Sequence, residues 1–424
     1  MTNYNTLGNR LKIGILRFSQ KISQKFKKPK RKFLSDMIFG IISSKDCKIT
    51  CISRALKEDI SLKKTTERLG RNLSAFSEND RDVLMKEYIS SVKSSIGSDT
   101  MLLIDGGDVT KPCSPKMESI GTVRDGSTGK FSLGYWTMGA TALSDTNNQP
   151  IPVYESLYPC KKEGGLGSSA ETLKCLQSLR ENFNADNVRV FDSGFDSKVI
   201  VADLLGKSEK FILRVSQNRV AVHKREKSYI FEVARRTVCE NDFVYTGKNG
   251  KPTNCKIGMT QVTVPSLNNA KLNLVVCKGY GEPLVLYTNL SESLEDIAVR
   301  VVKMFLMRWR IDEYYGFKKQ ELNFEDFRVR GLDSIKTLNL LLTIAAGYIG
   351  VLEENNETMA VELITVSKRV EKLGAYLKKT KFVFYSILDG ISTVLASLRC
   401  GIAHYFVQPP PDNQLFFKNM IFLG

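Results

Sequence analysis

Apolar positions recur at helical spacing between residues 34 and 95. Ile49, Ile52 and Leu56 lie three and four apart, and Leu69 anchors a following segment that Ser61 can cap. Two short helices in series with basic residues read either as a helix-turn-helix or as a small helical bundle. From about 101 the pattern shortens to strands: "MLLID", ending in Asp105, then "KFSLGYWTMGATALSD" and "IPVYESLYP", joined by polar turns such as "SDTNNQP". "SAETLKCLQSLRENF" returns to helical spacing, "NVRVFD" is a strand ending in Asp192, "SKVIVADLLGK" is a helix and "KFILRVS" a strand. Three strands, helix, strand, helix, strand predict a mixed α/β sheet.

Residues 216–290 read as a run of strands, among them "YIFEVARRTV", with "KNGK" as an Asn-Gly hairpin turn. A long helix is expected from about Leu294 to Glu321. The apolar run "TLNLLLTIAAGYIGVL" at 337–352 is too short for a typical membrane span and predicts a buried helix. No long apolar segment suggesting a secretory signal stands at the N-terminus. Residues 355–424 are mostly helical in pattern up to "PPPDNQ". The expected organisation is a basic helical region (1–98), the first part of an α/β core (99–215), a β-rich insertion (216–290), the final core helices (291–354) and a C-terminal helical region (355–424).

Charge changes the picture. The chain carries a net +17, and twelve of those charges fall within residues 1–98. From Arg10 to Lys32 there are ten basic residues and no acidic one, including Lys27, Lys28, Lys30 and Arg31. Such a segment suits a polyanion, nucleic acid above all, although a disordered basic tail has the same composition. The nine cysteines are scattered without a CxxC pair, and only two histidines exist. A zinc site and a disulfide framework are therefore not expected, and reduced cytosolic thiols are the simpler reading. "DGSTGK" at 125–130 lacks the first glycine and the final Ser/Thr of a phosphate-binding loop and reads as a turn. "GLGSSA" at 165–170 does not directly follow a strand and reads as a loop.

Asp105 and Asp192 are the stronger signal. The C-terminal ends of neighbouring strands are where α/β sheets place functional groups. Two carboxylates facing each other repel, and a hard divalent cation is one remedy; ordinary turn or capping aspartates are the alternative. On a continuous helix Phe305, Arg308, Asp312, Tyr315 and Lys319 share one face. The surrounding Met307, Ile311, Tyr314 and Phe317 are apolar, so a charged stripe there calls for a reason.

The segment resembles the signature helix of the DDE transposases of bacterial insertion sequences, in the cut-and-paste group with the pattern Y-x2-R-x3-E-x6-K. Here it reads Phe305-x2-Arg308-x3-Asp312-x6-Lys319, while "IDGGD" and "DSGFD" resemble the family's first and second acidic motifs. The likeness runs over about residues 34 to 350. It implies an RNase H-like core in which Asp105, Asp192 and Asp312 hold two Mg²⁺ (or Mn²⁺) ions. It further implies that Arg308 and Lys319 hold the DNA backbone and that Trp309 stacks a base or packs in the core. The family's Glu is Asp312 here, with Glu313 as an alternative third acid; its Tyr is Phe305, and the Arg of its second motif is Ser193. The implied partners are double-stranded DNA, as terminal inverted repeats and target, and a second copy of the chain. The implied setting is a cytoplasmic, nucleoid-associated protein without a membrane.

Overall fold

A computed structural model describes residues 4–144, 148–246, 252–279, 282–291, 297–367, 372–374, 376 and 382–402. The "KNGK" turn, Leu294, "PPPDNQ" and the middle of "SDTNNQP" lie outside the described residues. The order is five helices, α1 (Tyr4–Ile22), α2 (Lys28–Ser44), α3 (Ile49–Leu56), α4 (Leu62–Ser74) and α5 (Glu78–Val92); then β1 (Leu102–Thr110), β2 (Gly121–Arg124), β3 (Phe131–Leu143), β4 (Pro150–Tyr158), α6 (Ser168–Asn182), β5 (Arg189–Phe191), α7 (Lys198–Gly206) and β6 (Phe211–Arg214). There follow β7 (Val220–His223), β8 (Glu226–Tyr229), α8 (Ile230–Arg236), β9 (Asn241–Thr246), β10 (Pro252–Val264), β11 (Ala270–Lys278) and β12 (Leu284–Thr288). The chain continues as α9 (Ile297–Leu306), α10 (Trp309–Gln320), α11 (Leu332–Asn355), α12 (Glu357–Val366) and α13 (Phe384–Ser397). Hydrogen bonding orders the strands β2–β3–β1–β5–β6–β12–β11–β10–β7–β8, with β4 on β3 and β9 on β10. The fold is mixed α/β, with a β-rich run between β6 and α9 and helical regions on either side of the sheet-forming segment among the described residues.

The chain divides into two compact units, one of Met1–Gly97, Gly106–Leu166 and Asp312–Gly424, the other of Ser98–Asp105 and Gly167–Ile311. In the first, α1 buries Leu7, Leu11, Ile15, Leu16 and Ile22. Most of the basic stretch from Arg10 to Lys32 is therefore a packed amphipathic helix and the start of α2, not a disordered tail. Ser61 caps α4 through the Lys64 amide, and Leu69 is buried, as the pattern predicts. The apolar helix α11 is long enough to span a membrane by length and composition, but 94% of that segment is buried inside the protein. It packs on β4, and Gly347 lets it approach α5: a Cβ there would lie 1.9 Å from the Tyr88 hydroxyl. That hydroxyl donates to the Pro152 carbonyl at 2.9 Å.

In the second unit, β1 and β5 pair in parallel over Leu102–Ile104 and Arg189–Phe191, and β6 runs parallel to β5. The insertion is antiparallel, β12 on β11 and β11 on β10. "YIFEVARRTV" is expected from sequence as a strand, but its middle is α8. Ile230, Val233 and Ala234 are the buried residues, and their i, i+3, i+4 spacing is a helical stripe.

Candidate active site

The expected strand at "MLLID" does not stop at Asp105. It runs on through Gly106 and Gly107 to Thr110. Gly107 suits a crowded place in that strand, because a Cβ there would meet the Thr137 hydroxyl at 2.7 Å. The parallel ladder, however, ends at the pair Ile104–Phe191. Asp105 and Asp192 are each the next residue, so two carboxylates emerge side by side where the pairing ends.

One guanidinium lies between them. Arg308 reaches Asp105 at 2.6 Å through Nη1 and Asp192 at 3.7 Å through Nη2. Arg214, at the end of β6, stands 3.7 Å from the other Asp192 oxygen. Asp105 and Arg308 retain 18% and 15% of their side-chain exposure, which makes this a partly desolvated cluster whose like-charge repulsion is answered by protein cations. The Asp192 carboxylate also accepts from the Ser193 amide at 2.7 Å.

The single long helix expected from Leu294 to Glu321 is interrupted. α9 ends at Leu306, α10 starts at Trp309, and Met307 and Arg308 form a turn between them. The Arg308 amide donates to Phe305 and the Ile311 amide to Arg308, three residues back. Phe305, Arg308 and Asp312 therefore do not share one helical face, and the turn frees Arg308 to reach Asp105. Trp309 is half-buried with the Arg310 guanidinium 4.9 Å above its ring.

The rest of α10 belongs to the other unit. Asp312 is exposed and Glu313 half-buried in its first turn. Lys319 pairs with Asp108 at 3.0 Å and Glu325 at 3.2 Å. Burial works to lower its pKa, but Glu325 and Asp108 outweigh it and hold the ammonium charged. Glu325 also accepts from the Thr110 amide and hydroxyl.

Its neighbour Lys318 is not singled out by the sequence pattern and is the more buried of the two. It forms an ion pair with Glu155 of β4 at 3.1 Å, with 2% and 0% of their side chains exposed. It donates to Asn339 at 2.6 Å and Thr343 at 3.1 Å, while Tyr314 donates to Glu155 at 3.2 Å. Burial raises the Glu155 pKa and lowers that of Lys318, each opposed by the other's charge. The one available signal is a glutamate in "VYESLY", inside a strand whose other residues, Ser156 apart, are apolar or aromatic.

Among the described residues no three His, Cys, Asp or Glu side chains gather closely enough to hold a metal ion. Asp105 and Asp192 offer the hard carboxylate oxygens that a divalent cation takes, and in the free protein they share one guanidinium through its two separate nitrogens.

No protein-family profile and no curated protein sequence matches the chain. Among solved structures it is similar to the piggyBac transposase synaptic complex with hairpin DNA, at a TM-score of 0.45 and 10% identity, over 99% of this chain and 84% of that one.

In the N-terminal region Lys27, Lys28 and Arg31 are exposed. Lys30 is engaged, 2.6 Å from Asp80. Lys32 likewise pairs with Asp36 at 2.8 Å and Glu58 at 3.1 Å. The basic run thus divides into cations that hold α2 in place and cations that face solvent.

Proposed function

We propose that the chain is a metal-dependent DNA transposase that cleaves the ends of its own element and joins them to target DNA. The observation that carries this reading is the pair of carboxylates, Asp105 and Asp192, at the end of the parallel ladder. Asp105 and Asp192 would hold Mg²⁺ or Mn²⁺, and the third acid that the resemblance implies, Asp312 or alternatively Glu313, belongs to the other compact unit. Such ions, when bound, supply Lewis acidity at the attacking and departing oxygens of an in-line phosphoryl transfer.

The residues divide the remaining work. Arg308 neutralises the carboxylates in the free protein, and its planar fork is equally suited to a phosphate. It exchanges one for the other when DNA and cations arrive. Lys319, kept charged by Asp108 and Glu325, holds a backbone phosphate near the cut. Trp309 stacks an unpaired base. Lys27, Lys28 and Arg31 bind phosphates of the inverted repeats, with Lys30 positioned behind them. Two copies on paired ends would form the working assembly, in a cytoplasmic, nucleoid-associated setting.

A second reading, a catalytically silent DNA-binding descendant of a transposase, draws on the Arg308 clasp and on Asp312 standing where the family has Glu. A nicking and joining assay on the DNA flanking the gene separates them. The enzyme reading expects Mg²⁺- or Mn²⁺-dependent nicks and joined product, abolished by Asp105→Asn or Asp192→Asn with DNA binding retained. Binding without nicks selects the descendant. Nicks without joined product select a simple RNase H-like nuclease.

A further inference from the structure

The "DGSTGK" segment does not bind phosphate as a loop before a helix; it is the tip of the β2–β3 hairpin. Its conformation is closely specified. The Asp125 amide donates to Lys130 at 2.9 Å and the Gly129 amide donates back to Asp125 at 2.8 Å. Gly129 takes φ +71°, which favours glycine. The Asp125 carboxylate accepts from the Ser127 amide at 2.8 Å, the Ser127 hydroxyl at 2.6 Å and the Thr128 hydroxyl at 2.8 Å. These bonds, the Ser127 hydroxyl first, hold its pKa well below the usual carboxylate range. The negative charge is thus turned inward on the loop. The Gly126 amide also donates to Asp108 at 3.0 Å, which ties the tip to β1.

This braced tip displays Phe131, at 77% exposure the most exposed large apolar side chain among the described residues. A rigid hairpin holding one aromatic ring in water has no packing explanation. Arg124 is its direct cross-strand partner, and exposed Lys130 precedes it. An exposed ring with one cation opposite it in the ladder, Arg124, whose Nε donates to the Gly129 carbonyl at 3.4 Å, and a second cation next to it in sequence, on a chain of net charge +17, has the composition of a single-strand nucleic-acid contact: the ring takes a base and the cations take neighbouring phosphates.

We propose that Phe131 is a stacking site for an unpaired nucleobase, with Arg124 and Lys130 holding the adjacent phosphates. This rests on the reading of the chain as DNA-binding, not on cleavage. Such a contact serves strand separation near a cut end and is sequence-tolerant, because every base offers a π-face.

The full chain, with chelator present, is titrated into a labelled thymidine oligonucleotide and into a duplex of equal length. Phe131→Ala is expected to weaken single-strand binding about 5- to 100-fold and to leave duplex binding within about twofold. Phe131→Trp should restore single-strand affinity and Phe131→Leu should not. The ring is exposed, so removing it leaves no cavity, and an unchanged thermal melt checks the fold. Wild-type affinity in Phe131→Ala or Phe131→Leu overturns the stacking site. So does a change in oligomeric state with unchanged single-strand affinity, which assigns the ring to a protein contact. If the wild-type chain binds neither DNA, both this proposal and the transposase reading fall. Duplex binding with a neutral Phe131→Ala removes the stacking site alone.

Discussion

Lys318 shows why a buried helix carries charge. Its ammonium and the Glu155 carboxylate are both out of solvent, and each is expensive to bury alone. Lys318→Ala is expected to cost about 3–5 kcal/mol, because it strands a buried carboxylate. The double change Lys318→Met with Glu155→Gln should cost clearly less, since neither charge remains. Urea unfolding of the three proteins checks this; equal costs would mean that the pair is not coupled. Arg308 gives the complementary case. Sequence pattern leaves the relief of carboxylate repulsion to a metal, whereas the structure places a guanidinium between the two acids. That partner is illegible in the sequence because a continuous helix would point Arg308 along the helix face, and the two-residue turn before α10 re-aims it.

At the level of elements, α5 carries a testable cap. Asp80 accepts from the Ser77 amide at 2.9 Å and from Lys30 at 2.6 Å, and the Ser77 side chain accepts in return from the Asp80 amide. Burial alone would raise the Asp80 pKa, but Lys30 and Ser77 outweigh it and hold it below the ordinary 3.8. A folded-state pKa below the unfolded one contributes stability that is present above the unfolded value and is lost as pH falls through the folded value. Asp80→Asn should therefore destabilise by about 0.5–2 kcal/mol near neutral pH and by much less near about pH 2. Unfolding free energies of both proteins at the two conditions test it; a difference independent of pH would place the effect elsewhere. Much of the element order is legible. Ser61, Leu69 and the α6–β5–α7–β6 succession follow from caps and periodicity alone. The departures share a cause: local pattern is silent about neighbours. Gly106 and Gly107 look like a strand end because close packing against Thr137 is a tertiary fact. α8 looks like a strand because Ile230, Phe231 and Val233 have the composition of either.

Across the whole molecule, the net charge of +17 is not one undifferentiated patch. Lys30 and Lys32 are engaged with Asp80, Asp36 and Glu58, while Lys27, Lys28 and Arg31 face solvent. DNA affinity should fall steeply with salt through counterion release. Replacing Lys27, Lys28 and Arg31 together by Ala should flatten the plot of log affinity against log salt by about 0.9 for each phosphate no longer neutralised. An unchanged slope would show that these cations do not meet DNA. From the sequence the candidate site reads as three acids and two cations; of these the structure brings together Asp105, Asp192 and Arg308. What the sequence does not show is which acids emerge together, and that depends on the register at which β1 and β5 stop pairing.

That register is the centre of the account, and one titration reaches it directly: binding of Mn²⁺ to the full chain in the presence of its flanking DNA, read by electron paramagnetic resonance. The predicted result is uptake by the wild-type protein, with affinity lowered by more than about tenfold in both Asp105→Asn and Asp192→Asn. Equal Mn²⁺ affinity in the wild type and both variants would contradict it.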